Sequence, residues 1–261
     1  MLTSLIRRKP KASPLDRAFV PEGTRLYVIG DVHGRLDLLN ELLVRIDEDD
    51  ATRPNAEIHL IFLGDLVDRG MESRGVVERA MQLAEVGGGR VRFLMGNHEE
   101  VMLGAATGDE KHVKFFCRIG GKETLFSYGL SPEDYQRLQI EELSERVATL
   151  FPRAHLDFVS RFESRIVFGD YAFVHAGIRP GVPLDEQRIK DLRWIREEFI
   201  LDDEPHDKVI VHGHTISENV EECHNRIGID TGAYMSGRLT ALCLEENRRW
   251  YLQTGAEAKA A

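Results

Sequence analysis

The sequence predicts an α/β protein of four layers, in which two β-sheets pack face to face with helices outside and a helical insert caps one sheet edge. Three observations carry this. Apolar runs at 26–29, 58–63 and 91–95 alternate with stretches of helical periodicity. The second half, from Arg165 onward, is rich in short strands. Between the halves, residues 104–161 read as mostly helical, and they lie between strands rather than at a terminus.

The first βα unit begins after Arg25: Leu26, Tyr27, Val28 and Ile29 run apolar up to Gly30, and Leu36, Leu39, Leu43 and Ile46 then recur at helical spacing. A second run, 58–63, leads to Gly64 and a helix carrying Val76, Val77, Ala80, Met81 and Ala84. The third run ends at Gly96. Runs apolar on both faces mark buried parallel strands, which places the residues after each strand at one common edge. The insert carries turn signals at Gly120-Gly121, Tyr128-Gly129 and Ser131-Pro132 and is expected to cover that edge. Gly169-Asp170 is a two-residue hairpin signal between strands at 165–168 and 171–174. Further strands are expected at 209–211, 227–229 and 239–244, the last paired with 249–252 across Glu246-Asn247. One domain is expected over 25–253, including the insert, with a flexible basic tail at 1–24 and a short tail at 254–261.

Of 261 residues, 42% are hydrophobic, enough for a sizeable core, so disorder as a class is excluded. The 44 acidic side chains outnumber the 34 basic ones, giving a net charge of −10, which argues against a grip on a nucleic-acid polymer. No run approaches the roughly 18 apolar residues of a membrane span, so no membrane partner is expected. Arg7, Arg8, Lys9 and Lys11 are not followed by the apolar core of a signal peptide. Cys117, Cys223 and Cys243 are odd in number and widely spaced, which suits a reducing cytoplasm rather than a disulfide framework or zinc knuckle.

Five strand ends carry polar clusters that a packed core would not select. They are Gly30-Asp31-Val32-His33-Gly34, Gly64-Asp65-Leu66-Val67-Asp68-Arg69-Gly70, Gly96-Asn97-His98-Glu99, His175-Ala176-Gly177 and His212-Gly213-His214-Thr215. A lone aspartate before a glycine is an ordinary turn residue. Five clusters on one sheet edge instead supply the carboxylate oxygens and imidazole nitrogens that divalent metals take.

This ordered series resembles the bacterial and phage form of the phosphoprotein-phosphatase branch of the calcineurin-like metallophosphoesterases, and its motifs span residues 30–215. The resemblance implies a β-sandwich flanked by helices. It implies that Asp31, His33 and Asp65 hold one metal while Asp65, Asn97, His175 and His214 hold a second, with Asp65 bridging. Two divalent ions are therefore expected, manganese first, with Fe, Zn, Ni and Co also suited to such ligands. Their charge outweighs the two carboxylates and would leave a positive pocket in an acidic protein. The resemblance further implies a metal-bridging water as nucleophile. His98 would protonate the leaving oxygen, Asp68 would orient His98, and Arg69 would bind phosphate oxygens. A second phosphate-binding arginine is expected from residues 192–196, where Arg196 is chosen over Arg193.

Met95 stands where eukaryotic members carry an arginine, and Ile216 stands where many nucleases and phosphodiesterases of the wider family carry a metal-binding histidine. His212 reads as a supporting group rather than a ligand, and His59, His112, His155, His206 and His224 as surface or structural residues. Asp230-Thr231-Gly232 reads as a turn, Glu99 and Glu100 as acids favoured near a helix N-terminus, residues 47–50 as a solvated acidic helix end, and Cys117 as packing. The expected reaction is hydrolysis of phosphate monoesters on phosphorylated proteins or peptides, at Ser or Thr and also at Tyr. The alternative is a symmetrical dinucleoside tetraphosphatase, for which Phe115, Phe116, Lys111, Lys114, Arg118 and Lys122 of the insert would offer stacking and phosphate contacts. The intact ligand set weighs against a catalytically silent binding module.

Overall fold

A computed structural model describes residues 14–255. Its ten strands are β1 Thr24–Ile29, β2 Glu57–Phe62, β3 Val91–Phe93, β4 Ile166–Phe168, β5 Tyr171–Phe173, β6 Val209–His212, β7 Glu221–Glu222, β8 Arg226–Gly228, β9 Thr240–Glu245 and β10 Arg248–Gln253. They form two five-stranded sheets, ordered β10-β9-β1-β2-β3 and β4-β5-β6-β8-β7. β1, β2 and β3 run parallel, as do β5, β6 and β8, while β4, β7, β9 and β10 join antiparallel, so both sheets are mixed.

β1 shows why the sequence runs apolar without alternation. Leu26 and Val28 enter the apolar layer between the sheets with Ile61, Leu63, Val209, Val211 and Ile227, whereas Tyr27 and Ile29 face the helices on the opposite side. Fully burying one such aliphatic side chain contributes about 1.5–3 kcal/mol. A third apolar cluster, with Ala172, Val174, Ile210, Leu192, Ile195 and Phe199, covers the outside of the second sheet. Helix, sheet, sheet and helix thus make the four expected layers.

The helices on the first half are α1 Pro14–Arg17, α2 Leu36–Ala51, α3 Ser73–Gly87 and α4 Asn97–Ala105. The insert contributes α5 Glu110–Phe116, α6 Lys122–Ser127, α7 Pro132–Arg137, α8 Ile140–Ala148 and α9 Arg153–Val159, with a π-helical turn at Cys117–Gly121. Its Val113, Phe116, Leu125, Leu143 and Val147 belong to the same apolar cluster as Leu39, Phe62 and Val76. Two later helices, α10 Ile189–Trp194 and α11 Glu197–Ile200, flank the second sheet.

Four local expectations differ from the structure. The segment before β1 is anchored at three points: Leu15, Ala18 and Val20 are buried in the intersheet layer, while the residues between and after them stay exposed. The basic residues Arg7, Arg8, Lys9 and Lys11 lie outside the described residues, as do residues 256–261. Thr254 is buried, and its hydroxyl accepts the Leu239 N–H at 2.8 Å. The acidic end of α2 is not simply solvated: Asp49 accepts bonds from Tyr27, Arg53 and Trp250, and Asp50 pairs with the fully buried Arg25. β7, only two residues long, carries no apolar pattern that could announce it. Among the described residues no helix is long and apolar enough to cross a membrane.

Candidate metal centre

The polar clusters follow the C-terminal ends of parallel strands, and backbone bonds draw their loops together. The N–H groups of Val32 and His33 donate to the Asp65 carbonyl at 3.1 and 2.8 Å, and that of Gly34 donates to Leu66 at 2.8 Å. Gly213 N–H donates to the His175 carbonyl at 2.8 Å, and His214 N–H to Asp31 Oδ2 at 3.0 Å. A β-carbon at Gly213 would occupy the place of the Asp31 carboxylate, so only glycine fits there.

Backbone strain concentrates at this edge. Among the described residues six non-glycine residues have positive φ, and five of them are His33 (46°), Asp65 (49°), Asp68 (74°), Arg69 (67°) and His214 (62°). Such conformations cost about 1–3 kcal/mol each and persist where surrounding contacts over-determine them, which is characteristic of functional sites.

The chemistry of the donors fits cations. Asp65 sits at the centre, its Oδ2 3.6 Å from His33 Nε2 and its Oδ1 3.4 Å from His175 Nε2. His33 Nδ1 lies 2.8 Å from the Val67 carbonyl and His175 Nδ1 2.8 Å from the Leu63 carbonyl. A carbonyl only accepts, so each Nδ1 carries a hydrogen. His33 Nε2 is then left to present a lone pair to the site, the tautomer a metal ligand needs. Burial opposes the charge of His175, but Asp65 holds the imidazole above its usual range, so that its Nε2 would give up a proton to a cation. His175 Nε2 and Asn97 Oδ1 face each other at hydrogen-bond distance, 3.0 Å. Asp31 Oδ1 and His214 Nε2 are buried with no hydrogen-bond partner. Converging, unpaired acceptors of this kind are satisfied by metal ions.

Two groups come within ligand reach: His33, Asp65 and His98, and Asp65, His175 and His214. Asp31 faces the same space. Burial, then the charges of Asp230 and Asp65, push its carboxyl well above the usual range. Burial also acts on Asp65, but His175, His98 and His33 around it hold its carboxyl well below the usual range. Burial pushes His33 down to about 3 and His214 to about 2, so both imidazoles are neutral and free to ligate.

His98 differs from the other histidines. Its Nδ1 lies 2.6 Å from Asp68 Oδ2, and its Nε2 points toward Arg69 Nη2 at 3.2 Å. Burial opposes its charge, but Asp65 and Asp68 together hold the imidazole above its usual range. The Arg69 guanidinium stacks over Tyr234 at 4.7 Å, and the Arg69 N–H donates to the Gly120 carbonyl of the insert at 2.8 Å. Arg196, exposed at the start of α11, is near enough that its charge helps to lower His214. Arg193 is occupied elsewhere, 3.6 Å from Glu100 and 3.4 Å from Ser164 Oγ.

Four residues at this centre had no site role in the sequence reading. Glu99, fully buried, accepts the N–H groups of Asp65, Gly96, Leu66 and Val67, holding the Asp65 loop rather than simply decorating a helix end. Its position three residues after Gly96, in capping-box register, was the available signal. Asp230 makes the expected turn, accepting Gly232 N–H at 2.9 Å, and is also buried beside Asp31. Thr124 and Tyr234 have no local signature. His212 is buried with its ring edge on Phe199 at 5.1 Å and joins neither ligand group.

In the insert, Phe116 is fully buried and presents no face for stacking. Phe115 is half-buried, its ring 6.0 Å from that of Trp194 and 5.1 Å from the Arg118 guanidinium. Lys111, Lys114 and Lys122 are exposed, Lys114 pairing with Glu110 at 3.3 Å.

Several known proteins are similar to this chain. The asymmetrical bis(5'-nucleosyl)-tetraphosphatase PrpE of Anoxybacillus flavithermus is 28% identical over 82% of this chain and 88% of its own length. Shewanella-like protein phosphatase 2 of Arabidopsis thaliana is 27% identical over 59% of this chain, which spans only 46% of that protein. A cold-active protein-tyrosine phosphatase of a psychrophilic Shewanella species shares the fold, with a TM-score of 0.55 at 21% identity, over 93% of this chain and 82% of that one. The calcineurin-like phosphoesterase family matches residues 24–234, which hold β1–β8 and the polar edge. With that match added to a centre of convergent His and Asp ligands, the chain belongs to the calcineurin-like phosphoesterases, hydrolases of phosphoesters built on a dinuclear divalent-metal centre.

Proposed function

We propose that this enzyme hydrolyses phosphate monoesters on phosphorylated proteins, at Ser or Thr and also at Tyr, in a reducing cytoplasm. The buried His98–Asp68 pair, 2.6 Å apart, carries the reading. A serine or threonine alkoxide is a strong base and a poor leaving group unless protonated, whereas a nucleotide phosphate departs as an already stable anion. A histidine paired to a buried carboxylate that favours its charged form is apparatus for the first task.

Asp31, His33 and Asp65 would hold one cation, and Asp65, Asn97, His175 and His214 the second, with manganese the proposed metal. When bound, the two ions supply charge for the phosphoryl oxygens and acidify the attacking water. The chain's own groups do the rest. Arg69 and Arg196 bind and orient the phosphate through their planar forks. His98 Nε2 gives its proton to the leaving oxygen while Nδ1 keeps its own hydrogen, donated to Asp68 Oδ2.

A second reading, hydrolysis of a dinucleoside tetraphosphate, draws on the tetraphosphatase name of a relative matched over 88% of its length, and on Phe115, Trp194 and Arg118, which could stack a base. Initial rates on a phosphopeptide panel and on diadenosine tetraphosphate, with metal-stripped protein reconstituted with manganese, decide between them. Faster peptide turnover supports the protein phosphatase. Much faster nucleotide turnover replaces it with the second reading.

A further inference from the structure

The Asp68 carboxylate has two oxygens, and the pair with His98 uses only one. Oδ2 takes His98 Nδ1; Oδ1 accepts the hydroxyl hydrogen of Thr124 at 2.7 Å. The same hydroxyl accepts the Asp68 N–H at 2.9 Å, and Ser73 Oγ, 2.9 Å from it, shares that N–H at 3.0 Å. Asp68, Ser73 and Thr124 are fully buried, so no water substitutes for a missing partner. Thr124 comes from α6 of the insert, 56 positions along the chain from Asp68.

A carboxylate turns easily about its last torsion, which is broad and two-fold rather than staggered. Hydrogen bonds must therefore decide its plane. Asp68 also holds a strained φ of 74°. The Thr124 hydroxyl grips both its backbone and its free oxygen, whereas Ser73 meets the Asp68 backbone.

We propose that Thr124 is a positioning residue for leaving-group protonation: its hydroxyl fixes the Asp68 carboxylate, which in turn aims His98 Nε2 at the leaving oxygen. The proposal rests on the reading of His98 as general acid. In that step the P–O bond breaks with its electron pair on the leaving oxygen, and the proton on His98 Nε2 moves to that oxygen. The insert is then part of the catalytic apparatus as well as a cover, since the carbonyl of Gly120, four residues before Thr124, also holds the Arg69 backbone.

Thr124→Val keeps the shape and removes the hydroxyl; Thr124→Ser keeps the hydroxyl and removes a methyl. Manganese-loaded variants are assayed on a phosphoserine peptide and on p-nitrophenyl phosphate, whose leaving group departs unprotonated, with His98→Asn as reference. The expected result is a loss of roughly 10- to 100-fold in kcat on the peptide for Thr124→Val, part of the 10²–10⁴ attributed to general acids, with less than about threefold on p-nitrophenyl phosphate. Thr124→Ser should recover peptide turnover. In metal-free protein, proton NMR should show a downfield His98 Nδ1–H signal in the wild type and Thr124→Ser that is lost in Thr124→Val. If His98→Asn discriminates between the substrates while Thr124→Val slows both equally, or neither, with the signal retained, Thr124 is structural and the proposal is overturned alone. If His98→Asn slows both substrates equally, the general-acid reading fails and takes the proposal with it.

Discussion

Glu99 holds Asp65 by its backbone: Oε2 accepts the Asp65 N–H at 2.8 Å and Oε1 the neighbouring Leu66 N–H at 2.7 Å. One buried carboxylate thus sets the loop on which the central ligand stands, and Gly96 and Val67 complete its four donors. Glu99→Gln tests this. An amide keeps one acceptor oxygen but turns an NH2 group toward backbone donors, and each buried donor left unpaired costs about 1–3 kcal/mol. The unfolding temperature of metal-free protein should fall, and manganese affinity by titration calorimetry should drop by about 10- to 100-fold, the usual effect of losing a group that orients ligands. Unchanged affinity would show that the Asp65 loop holds its shape without Glu99.

Asp65→Asn should strike both halves of the centre together, because Asp65 belongs to both ligand groups. The amide can still accept the His98 N–H that Asp65 Oδ1 takes at 3.1 Å, so the fold is expected to survive. Metal analysis should find fewer than two ions bound, and turnover should fall by more than about 100-fold. Two retained ions with near-normal rates would remove Asp65 from its bridging place.

Arg196 and Arg193 make a contrasting pair. Arg196→Ala should weaken inhibition by inorganic phosphate and raise KM by roughly 10-fold or more, the worth of one charge-assisted hydrogen bond, while leaving the unfolding temperature unchanged because the side chain is exposed. Arg193→Ala should do the reverse, loosening the Glu100 and Ser164 contacts with little effect on phosphate. An exchange of these outcomes would move the phosphate role to Arg193.

The layers were legible because burial on both faces leaves an unbroken apolar run, as at Leu26–Tyr27–Val28–Ile29, and because glycines end those runs where loops must approach closely. The polar edge was legible because five such clusters at strand ends exceed what turns alone require, although each by itself is ordinary. What stayed hidden depends on distance in the chain. Thr124 gains its place only when the insert folds onto Ser73 and Asp68, and nothing local distinguishes it from any helical threonine. Tyr234 meets Arg69 from the second half of the chain, far from it in sequence. Glu99 looked ordinary because a helix-start acid is favourable with or without a loop to hold. Asp49 was hidden likewise, its partners Tyr27 and Trp250 lying on strands that the α2 sequence cannot reveal.

Asp49 provides a pH test away from the metals. Burial works against its charge, but the Arg53 and Tyr27 hydrogen bonds and the Arg53 charge overcome that and hold its carboxyl below the ordinary value of 3.8. A carboxyl lowered on folding stabilises the protein fully above its unfolded value, and that contribution disappears as pH falls through the folded value. Asp49→Asn keeps the shape while removing the charge that Arg53 meets at 2.7 and 2.8 Å. Urea unfolding at neutral pH should find the variant less stable by about 1–3 kcal/mol. The gap between the proteins should then narrow as pH drops below 3.8 and close once pH passes the lower folded value, at which the wild-type carboxylate is itself protonated. A gap that stays constant across that range would mean the loss comes from altered packing around Tyr27 and Trp250, not from the charge.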